Sequence, residues 1–207
     1  MKIVKIIPSV LTNYSREANR TFSKLSGITN HFHLDIADNT FVPTSSLNFP
    51  LKLSKKFKYH AHLMVNDPIK WIKRYGKKVD FCIVQLEVIT DIKKHILWLK
   101  KNKQKVAFAL KPETKITRLT PFLNEVDYLL ILTVHPGYYG AKFLRYPLKR
   151  IKQIKAINPK IKIIVDGGMK PDTVKYVKRA DYIISGSFIT KADNPKKAIN
   201  RLRRALN

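Results

Sequence analysis

The amino-acid sequence predicts a single (β/α)8 barrel with an active site at the carboxyl ends of its strands. Short apolar runs rich in β-branched residues alternate with longer amphipathic stretches along the whole chain. Several of the short runs are continuously apolar, which is typical of parallel strands covered on both faces. Polar residues collect where these runs end, as in barrel enzymes. An open, doubly wound sheet is the main alternative.

The alternation supplies eight strand and helix pairs, the number that closes a barrel. Proline with an upstream capping residue marks two of the helix starts, at Pro68 and Pro195. To complete the second pair, we expect a short helix within residues 48–56, after a long loop. Strands are predicted at residues 3–8, 31–35, 59–64, 80–87, 105–110, 127–134, 162–165 and 182–185. Helices are predicted at residues 15–25, 68–75, 91–101, 116–123, 147–157, 171–178 and 195–206.

Length and composition suit one domain that spans residues 1–207. The chain has 207 residues, of which 44% are hydrophobic, enough for one substantial core. No stretch of about 18 residues is apolar without an interrupting charge, so the sequence predicts no membrane-spanning helix. The first residues lack the pattern of a signal peptide, and we therefore expect a cytoplasmic protein. The single cysteine, Cys82, lies in an apolar run and is expected to be a buried, unreactive thiol.

The net charge of +27 raises the hypothesis of a nucleic-acid or membrane partner. The lysines, however, are spread over most of the predicted helices at spacings typical of solvated faces. The sequence also lacks the motif of a known nucleic-acid recognition module. We therefore expect no specific nucleic-acid partner and no membrane partner. A polyanion-binding protein on a decayed barrel is a remote alternative.

Two histidines and two aspartates at predicted strand ends form a candidate metal site. His33 and Asp35 alternate along one strand and so share a face, while His62 ends the next strand and Asp166 ends the seventh. This donor set suits a borderline divalent ion such as Zn²⁺, Fe²⁺, Co²⁺ or Mn²⁺. Taken alone, a strand histidine is more often structural. The prediction depends on four ligands falling at the ends of strands in one barrel.

Glycines that precede a helix or turn form a second group at the predicted strand ends. Small residues let backbone N–H groups approach an anion, and barrels often bind phosphate after the seventh and eighth strands. The alternative is that these glycines only permit tight turns. The group consists of Gly137, Gly140, Gly167, Gly168, Gly186 and the adjoining Ser187.

The sequence resembles the ribulose-phosphate 3-epimerase family over nearly its whole length. The resemblance implies a (β/α)8 barrel that interconverts D-ribulose 5-phosphate and D-xylulose 5-phosphate by inverting C3. It also implies one divalent ion, held by His33, Asp35, His62 and Asp166. We further expect a homo-oligomer. The segments that carry it are Ile7-Pro-Ser9, His33-Leu-Asp-Ile-Ala-Asp38 with Phe41-Val-Pro43, His62-Leu-Met64, Val134-His-Pro-Gly137 with Gly140 and Phe143, Val165-Asp-Gly-Gly168, and Gly186-Ser187.

The same resemblance implies roles for individual residues. Asp35 and Asp166 would be the two bases that remove and return the C3 proton through an enediolate. Asp38 would support the metal ligands or steady the loop to Pro43, and Glu87 is a further supporting carboxylate. Substrate contacts are implied for Ser9, His62, Met64, Gly137, Gly140, Asp166, Gly167, Gly168, Gly186 and Ser187, with Gly140, Gly168, Gly186 and Ser187 gripping the phosphate.

The sequence departs from the family pattern around the predicted centre. Ala37 stands where the family usually has methionine and would leave a space unless another side chain fills it. A widened site could admit a hexulose 6-phosphate such as allulose 6-phosphate, which is the alternative substrate. His135 is additional and is expected to face solvent. The other departures are Asn39 for glycine, Leu132 for methionine, Gln85 for histidine, and Tyr139 and Ala141 in the sixth loop.

Overall fold

In the computed structural model, which describes residues 4–137 and 140–206, eight parallel strands close into a barrel. The first strand pairs with both the second and the last, so the sheet has no open edge between them. The predicted barrel is therefore confirmed over the doubly wound alternative. The barrel strands are β1 (Lys5–Val10), β2 (His31–Asp38), β4 (Lys58–Met64), β5 (Phe81–Gln85), β6 (Ala107–Leu110), β7 (Tyr128–Leu132), β8 (Lys162–Asp166) and β9 (Tyr182–Ser185), and β3 (Ser45–Ser46) pairs antiparallel with the end of β2.

Helices cover the outside of the barrel and begin where the capping residues predict. The Asp67 carboxylate accepts a hydrogen bond from the Lys70 N–H, and the Asn194 side chain accepts one from the Lys197 N–H. No helix within residues 4–137 and 140–206 is long and apolar enough to cross a membrane. The α-helices are α1 (Ser15–Leu25), α2 (Pro68–Tyr75), α3 (Ile92–Lys101), α4 (Arg150–Ile157), α5 (Pro171–Val174), α6 (Ser187–Thr190) and α7 (Pro195–Leu206).

Two predicted helices are wrong, and proline explains both. Residues 48–56 contain no helix: Pro50 disfavours the helical conformation of Phe49, and Leu51 is buried from an irregular segment instead. Residues 116–123 form 3-10 turns, Ile116–Arg118 and Thr120–Glu125, because Pro121 lacks the N–H that a continuous α-helix needs. The helix predicted at 171–178 also ends early, at Val174, and continues as turns that still bury Val177.

Aromatic rings close the amino end of the barrel interior. The rings of Phe81 and Tyr128 stack with their centroids 4.0 Å apart, and the His60 ring lies 4.2 Å from that of Phe81. Burial holds the pKa of His60 well below its usual range, so this imidazole is neutral. Above these rings, Ile83 and Leu130 belong to an apolar interior cluster. Apolar side chains therefore fill the barrel interior at its amino end and middle, and the polar inward-facing side chains lie at the carboxyl end.

A larger apolar core lies between the strands and the helices. Phe22 of α1 packs edge-on against Phe32 of β2 and Tyr59 of β4. Cys82 belongs to this core, where burial raises the pKa of its thiol to about 12. The thiol is therefore protonated and enclosed, as the sequence predicts.

The buried His95 of α3 makes the stability of the fold dependent on pH. Its side chain is 5% exposed, its ring centroid lies 5.9 Å from that of Phe108, and burial lowers its pKa to about 4. An unfolded histidine has a pKa of about 6.5. Between these pH values the unfolded chain binds a proton that the folded chain does not, so stability falls as the pH falls. We expect His95 to lower the free energy of unfolding by about 2 kcal/mol when the pH falls from 7 to 5.

Urea unfolding of His95→Leu at pH 7 and pH 5 measures this contribution. The loss of unfolding free energy between the two pH values should be smaller in the variant than in the wild type by about 2 kcal/mol. Leu97→Ala is the control, since Leu97 is 57% exposed on the same helix and carries no titratable group. The same pH dependence in His95→Leu and the wild type would contradict the assignment.

Candidate active site

The side chains of His33, Asp35, His62 and Asp166 meet at the carboxyl end of the barrel. One ligand atom of each lies within 4.8 Å of all the others. His33 Nε2 and His62 Nδ1 are each 3.4 Å from Asp35 Oδ1 and 4.0 Å from Asp166 Oδ2. Ligands placed about 2.0–2.1 Å from a tetrahedral ion are separated by about 3.3–3.4 Å. The two distances to Asp35 match this spacing, and the two distances to Asp166 are about 0.6 Å longer, so a small movement of Asp166 would complete the site.

Strand register brings these four residues together. In the parallel pair β2–β4, Asp35 lies opposite His62 and His33 lies opposite His60, so inward-facing residues form adjacent rows. Asp166 is the last residue of β8, which stands three positions from β2 around the barrel with β1 and β9 between them. Closure of the barrel therefore places the Asp166 carboxylate across the mouth from β2. Residues separated by more than 100 positions in sequence become neighbours in this way.

The buried polar atoms of this group fit a metal ion. His33 and His62 are fully buried, and Asp35 is nearly so. His33 Nε2 and His62 Nδ1 have no hydrogen-bond partner among the residues that the structure describes. An unsatisfied buried polar atom costs about 1–3 kcal/mol, and coordination to a cation would satisfy both nitrogens. The two imidazoles and two carboxylates match the donors that Zn²⁺, Fe²⁺, Co²⁺ and Mn²⁺ accept.

The two aspartates have oppositely shifted pKa values. Burial alone would raise the pKa of Asp35, but the adjacent imidazoles of His33 and His62 outweigh it and lower that pKa. Burial and then the negative charge of Asp35 raise the pKa of Asp166 to about 6. Burial opposes a charge on His33, but contact with Asp35 raises its pKa overall. Two carboxyl groups with separated pKa values suit one acid and one base at neutral pH.

Asp38 and Glu87 both brace loops around this group. Asp38 Oδ1 accepts hydrogen bonds from the N–H groups of Thr40 and Phe41, and its Oδ2 accepts one from the Asn66 N–H. Of the two supporting roles left open for Asp38, these contacts favour steadying the loop after β2. Glu87 Oε1 accepts hydrogen bonds from the Lys111 N–H at 2.9 Å and from the Thr114 hydroxyl. Neither carboxylate belongs to the four-residue group.

Gln85 touches the site although sequence comparison marked it only as a departure. Its amide nitrogen lies 2.8 Å from Nε2 of His62, and both side chains are fully buried. The signal was present in the sequence: Gln85 follows Ile83 by two residues and so faces the same side of β5. Only the distance between β4 and β5, however, identifies His62 as its partner.

The glycines and their neighbours line the same end of the barrel. Gly167 has φ +108°, and a Cβ built there would lie 2.6 Å from a methyl group of Val134. Glycine is therefore required here because the loops after β7 and β8 approach each other closely. A Cβ on Gly186 would lie 2.8 Å from the Ser9 hydroxyl, which places the β1 and β9 ends together. Gly168 lies beside Phe143, Gly137 beside Val42 and Pro43, and Ser187 begins α6.

A glycine pair tests this packing argument. Gly167→Ala should destabilise the fold by about 3 kcal/mol, because a left-handed backbone and a steric clash are combined. Gly140→Ala is the matched control: Gly140 has φ +70°, but no described atom beyond its chain neighbours lies within 4 Å of the added Cβ. Its cost should be about 1–2 kcal/mol, from backbone strain alone. Equal losses in urea unfolding would contradict the packing argument.

Two residues that depart from the family pattern near the four-residue group, Ala37 and Leu132, are buried among their neighbours. Ala37 is 1% exposed and packs with Val42, Met64 and Phe41, so residues of the following loop fill the space expected beside it. Leu132 is buried opposite Asp166 in the β7–β8 register. These contacts do not favour the wider site on which the hexulose phosphate alternative depends.

The remaining departures lie in loops. Asn39 has φ +62°, a conformation that asparagine tolerates better than most residues, so it serves where the family has glycine. His135 faces solvent as expected, with its Nδ1 3.3 Å from Glu113 Oε1. Ala141 lies in the loop after β7, and Tyr139 lies outside the described residues.

Fold and site together define an enzyme of the (β/α)8-barrel class whose buried histidines and aspartates can hold a metal ion. Residues 5–190 match the ribulose-phosphate 3 epimerase family, and the chain belongs to that family. It is 26% identical over 215 residues to ribulose-phosphate 3-epimerase of Bacillus subtilis (strain 168), a match that covers 97% of this chain and 99% of that protein.

Two further proteins extend the comparison. The cytoplasmic isoform of ribulose-phosphate 3-epimerase from Oryza sativa subsp. japonica is 29% identical over 217 residues, covering 98% of this chain and 94% of that protein. Among solved structures, 3-hexulose-6-phosphate synthase from Salmonella typhimurium aligns with a TM-score of 0.68 at 18% identity, covering 98% of each chain. The structural likeness concerns the fold alone.

Proposed function

We propose that this protein is a metal-dependent 3-epimerase that interconverts D-ribulose 5-phosphate and D-xylulose 5-phosphate. The observation that carries the proposal is the convergence of two carboxyl groups and two buried imidazoles at the barrel mouth, with one ligand atom of each within 4.8 Å of the others. Membership of the epimerase family supports the substrate and the reaction. The cytoplasmic isoform among its relatives supports the cytoplasm as its location.

Inversion at C3 needs one base on each face of a planar intermediate. Asp35 on β2 and Asp166 at the end of β8 approach the barrel mouth from different sides, so one carboxylate would accept the C3 proton while the other carboxyl group would return a proton to the opposite face. In the reverse direction the two groups exchange roles. A divalent ion held by His33, Asp35, His62 and Asp166 would supply Lewis-acid stabilisation of the negative charge that develops on substrate oxygen.

Other residues at the barrel mouth would position the substrate. Ser9 would contact a substrate oxygen, and Gly140, Gly168, Gly186 and Ser187 would bind the phosphate through backbone and hydroxyl groups. Binding the remote phosphate holds C3 in place between the two carboxyl groups, which accounts for part of the rate. Met64, packed beside Ala37, would form an apolar wall against the reacting carbons.

Solvent deuterium exchange at C3 of ribulose 5-phosphate tests reaction, substrate and metal together. In D₂O, NMR should show loss of the C3 proton with formation of xylulose 5-phosphate, and a chelator should stop both. Exchange that is absent with ribulose 5-phosphate, or a kcat/KM at least tenfold higher on allulose 6-phosphate, would contradict the substrate assignment. The homo-oligomeric state stays a prediction that light scattering can check.

A further inference from the structure

We propose that Gln85 is a positioning residue that orients His62 toward the metal ion, and that its carboxamide rotates when the ion binds. This inference rests on the proposed metal site. It concerns a contact to that site at a position that departs from the family pattern, because Gln85 stands in place of the customary histidine.

The His62 ring makes its hydrogen-bond-distance contact through Nε2 and turns Nδ1 toward Asp35. Nε2 lies 2.8 Å from the Gln85 amide nitrogen, and Nδ1 lies 3.4 Å from Asp35 Oδ1. Both His62 and Gln85 are fully buried, so water does not compete for either contact. Turning the ring over would exchange its nitrogens for carbons and lose both contacts. Nδ1 is therefore the nitrogen that His62 presents to the ligand group.

The hydrogen bond requires a definite position for the imidazole proton. A neutral imidazole carries one N–H and one lone pair. As placed, the Gln85 amide donates to the lone pair of Nε2, which puts the proton on Nδ1, facing Asp35. A nitrogen that coordinates an ion must offer a lone pair, so binding through Nδ1 requires the proton to lie on Nε2. Gln85 must then accept this hydrogen bond instead of donating it.

A carboxamide can meet both requirements by a half-turn. Rotation exchanges the amide nitrogen and Oε1, and Oε1 then accepts from the Nε2–H of His62. Gln85 Oε1 is buried with no hydrogen-bond partner among the described residues, so the rotation breaks no recorded bond of that oxygen. Glutamate at this position could only accept from Nε2–H, and methionine could do neither. The amide is also neutral, so it adds no charge beside Asp35 and Asp166.

The second histidine of the group lacks this support. Both nitrogens of His33 are without a hydrogen-bond partner within residues 4–137 and 140–206. His62 is thus the ligand whose orientation a neighbouring side chain controls. Partners of this kind usually raise metal affinity by about 10–100-fold.

Three variants and Zn²⁺ test the proposal without measuring activity. Gln85→Met removes the hydrogen bond at similar length, Gln85→Glu leaves an acceptor only, and Cys82→Ala is the matched control from the opposite face of β5. Calorimetry on metal-free protein gives the Zn²⁺ affinity, and ¹⁵N NMR of labelled histidine gives the position of the His62 proton. In the wild type we expect this proton on Nδ1 without Zn²⁺ and on Nε2 with it.

The three variants should differ in Zn²⁺ affinity and in the position of the His62 proton. Gln85→Met should bind Zn²⁺ about 10–100-fold more weakly, Gln85→Glu should hold the proton on Nε2 even without Zn²⁺, and Cys82→Ala should match the wild type. Wild-type affinity and an unchanged proton position in Gln85→Met and Gln85→Glu would overturn the role of Gln85 while leaving the metal site intact. A wild-type protein that binds no Zn²⁺ would overturn the metal site and, with it, the proposed positioning role.

Discussion

Asp35→Asn and Asp166→Asn should each lower kcat for epimerisation of D-ribulose 5-phosphate by about 10³-fold or more. General acid–base catalysis commonly contributes about 10²–10⁴-fold for one group, and inversion requires both groups in every turnover. Asparagine has nearly the shape of aspartate but can neither take up nor release a proton at C3. The fold should therefore survive while the reaction stops. A coupled assay for xylulose 5-phosphate measures the loss.

Proton exchange distinguishes the loss of one base from a general loss of the site. With Zn²⁺ content verified, each variant should still exchange the C3 proton of one epimer with solvent but not that of the other, and the two variants should differ in which epimer they exchange. Asp193→Asn, an exposed carboxylate before α7, is the control and should retain wild-type activity. Activity within about tenfold of the wild type in either metal-loaded variant would rule out the two-base mechanism.

Removal of the divalent ion should lower kcat/KM by about 10²–10³-fold. Lewis-acid stabilisation is worth several kcal/mol, and each 1.4 kcal/mol corresponds to about a tenfold change in rate. Dialysis against a chelator should produce this loss, and Zn²⁺, Mn²⁺, Co²⁺ or Fe²⁺ should be tested for restoring the activity. His33→Ala should lose metal binding and activity together, because it removes one of the four candidate ligands.

A second histidine on the same strand provides the control. His31 precedes His33 by two residues and lies at the amino end of β2, beside the His60 ring and away from the four-residue group. His31→Ala should keep both the bound metal and the activity. Full activity in chelated protein with less than about a tenth of a metal ion per chain would exclude the Lewis-acid role.

The strands and the members of the four-residue group could be predicted from sequence because strand positions and strand ends are marked by local patterns. Alternation places His33 and Asp35 on one face, and apolar runs covered on both sides mark parallel strands. Helix starts at Pro68 and Pro195 were equally local, since the cap and its helix are contiguous. Local patterns failed where proline interrupts an amphipathic stretch, at Pro50 and Pro121, because hydrophobic spacing alone does not register a missing N–H.

Contacts between strands and loops could not be predicted from local patterns in the sequence. The partner of Gln85 depends on the register of β4 against β5, and the packing around Ala37 depends on how the loop after β2 folds back. Asp38 and Glu87 were predicted as supports, but the N–H groups of Asn66, which donates to Asp38, and of Lys111, which donates to Glu87, lie on other loops. Such contacts join residues far apart in sequence, so no local spacing encodes them.

The sequence by itself determined the barrel, the order of its strands and the residues whose chemistry suits a metal-assisted epimerisation. Only the tertiary structure decided that the ligand atoms lie within 4.8 Å of one another and that the carboxyl groups of Asp35 and Asp166 have oppositely shifted pKa values. The physical reason is that residue type and periodicity set which face a side chain occupies, whereas burial and electrostatic coupling arise only when closure brings distant strands together.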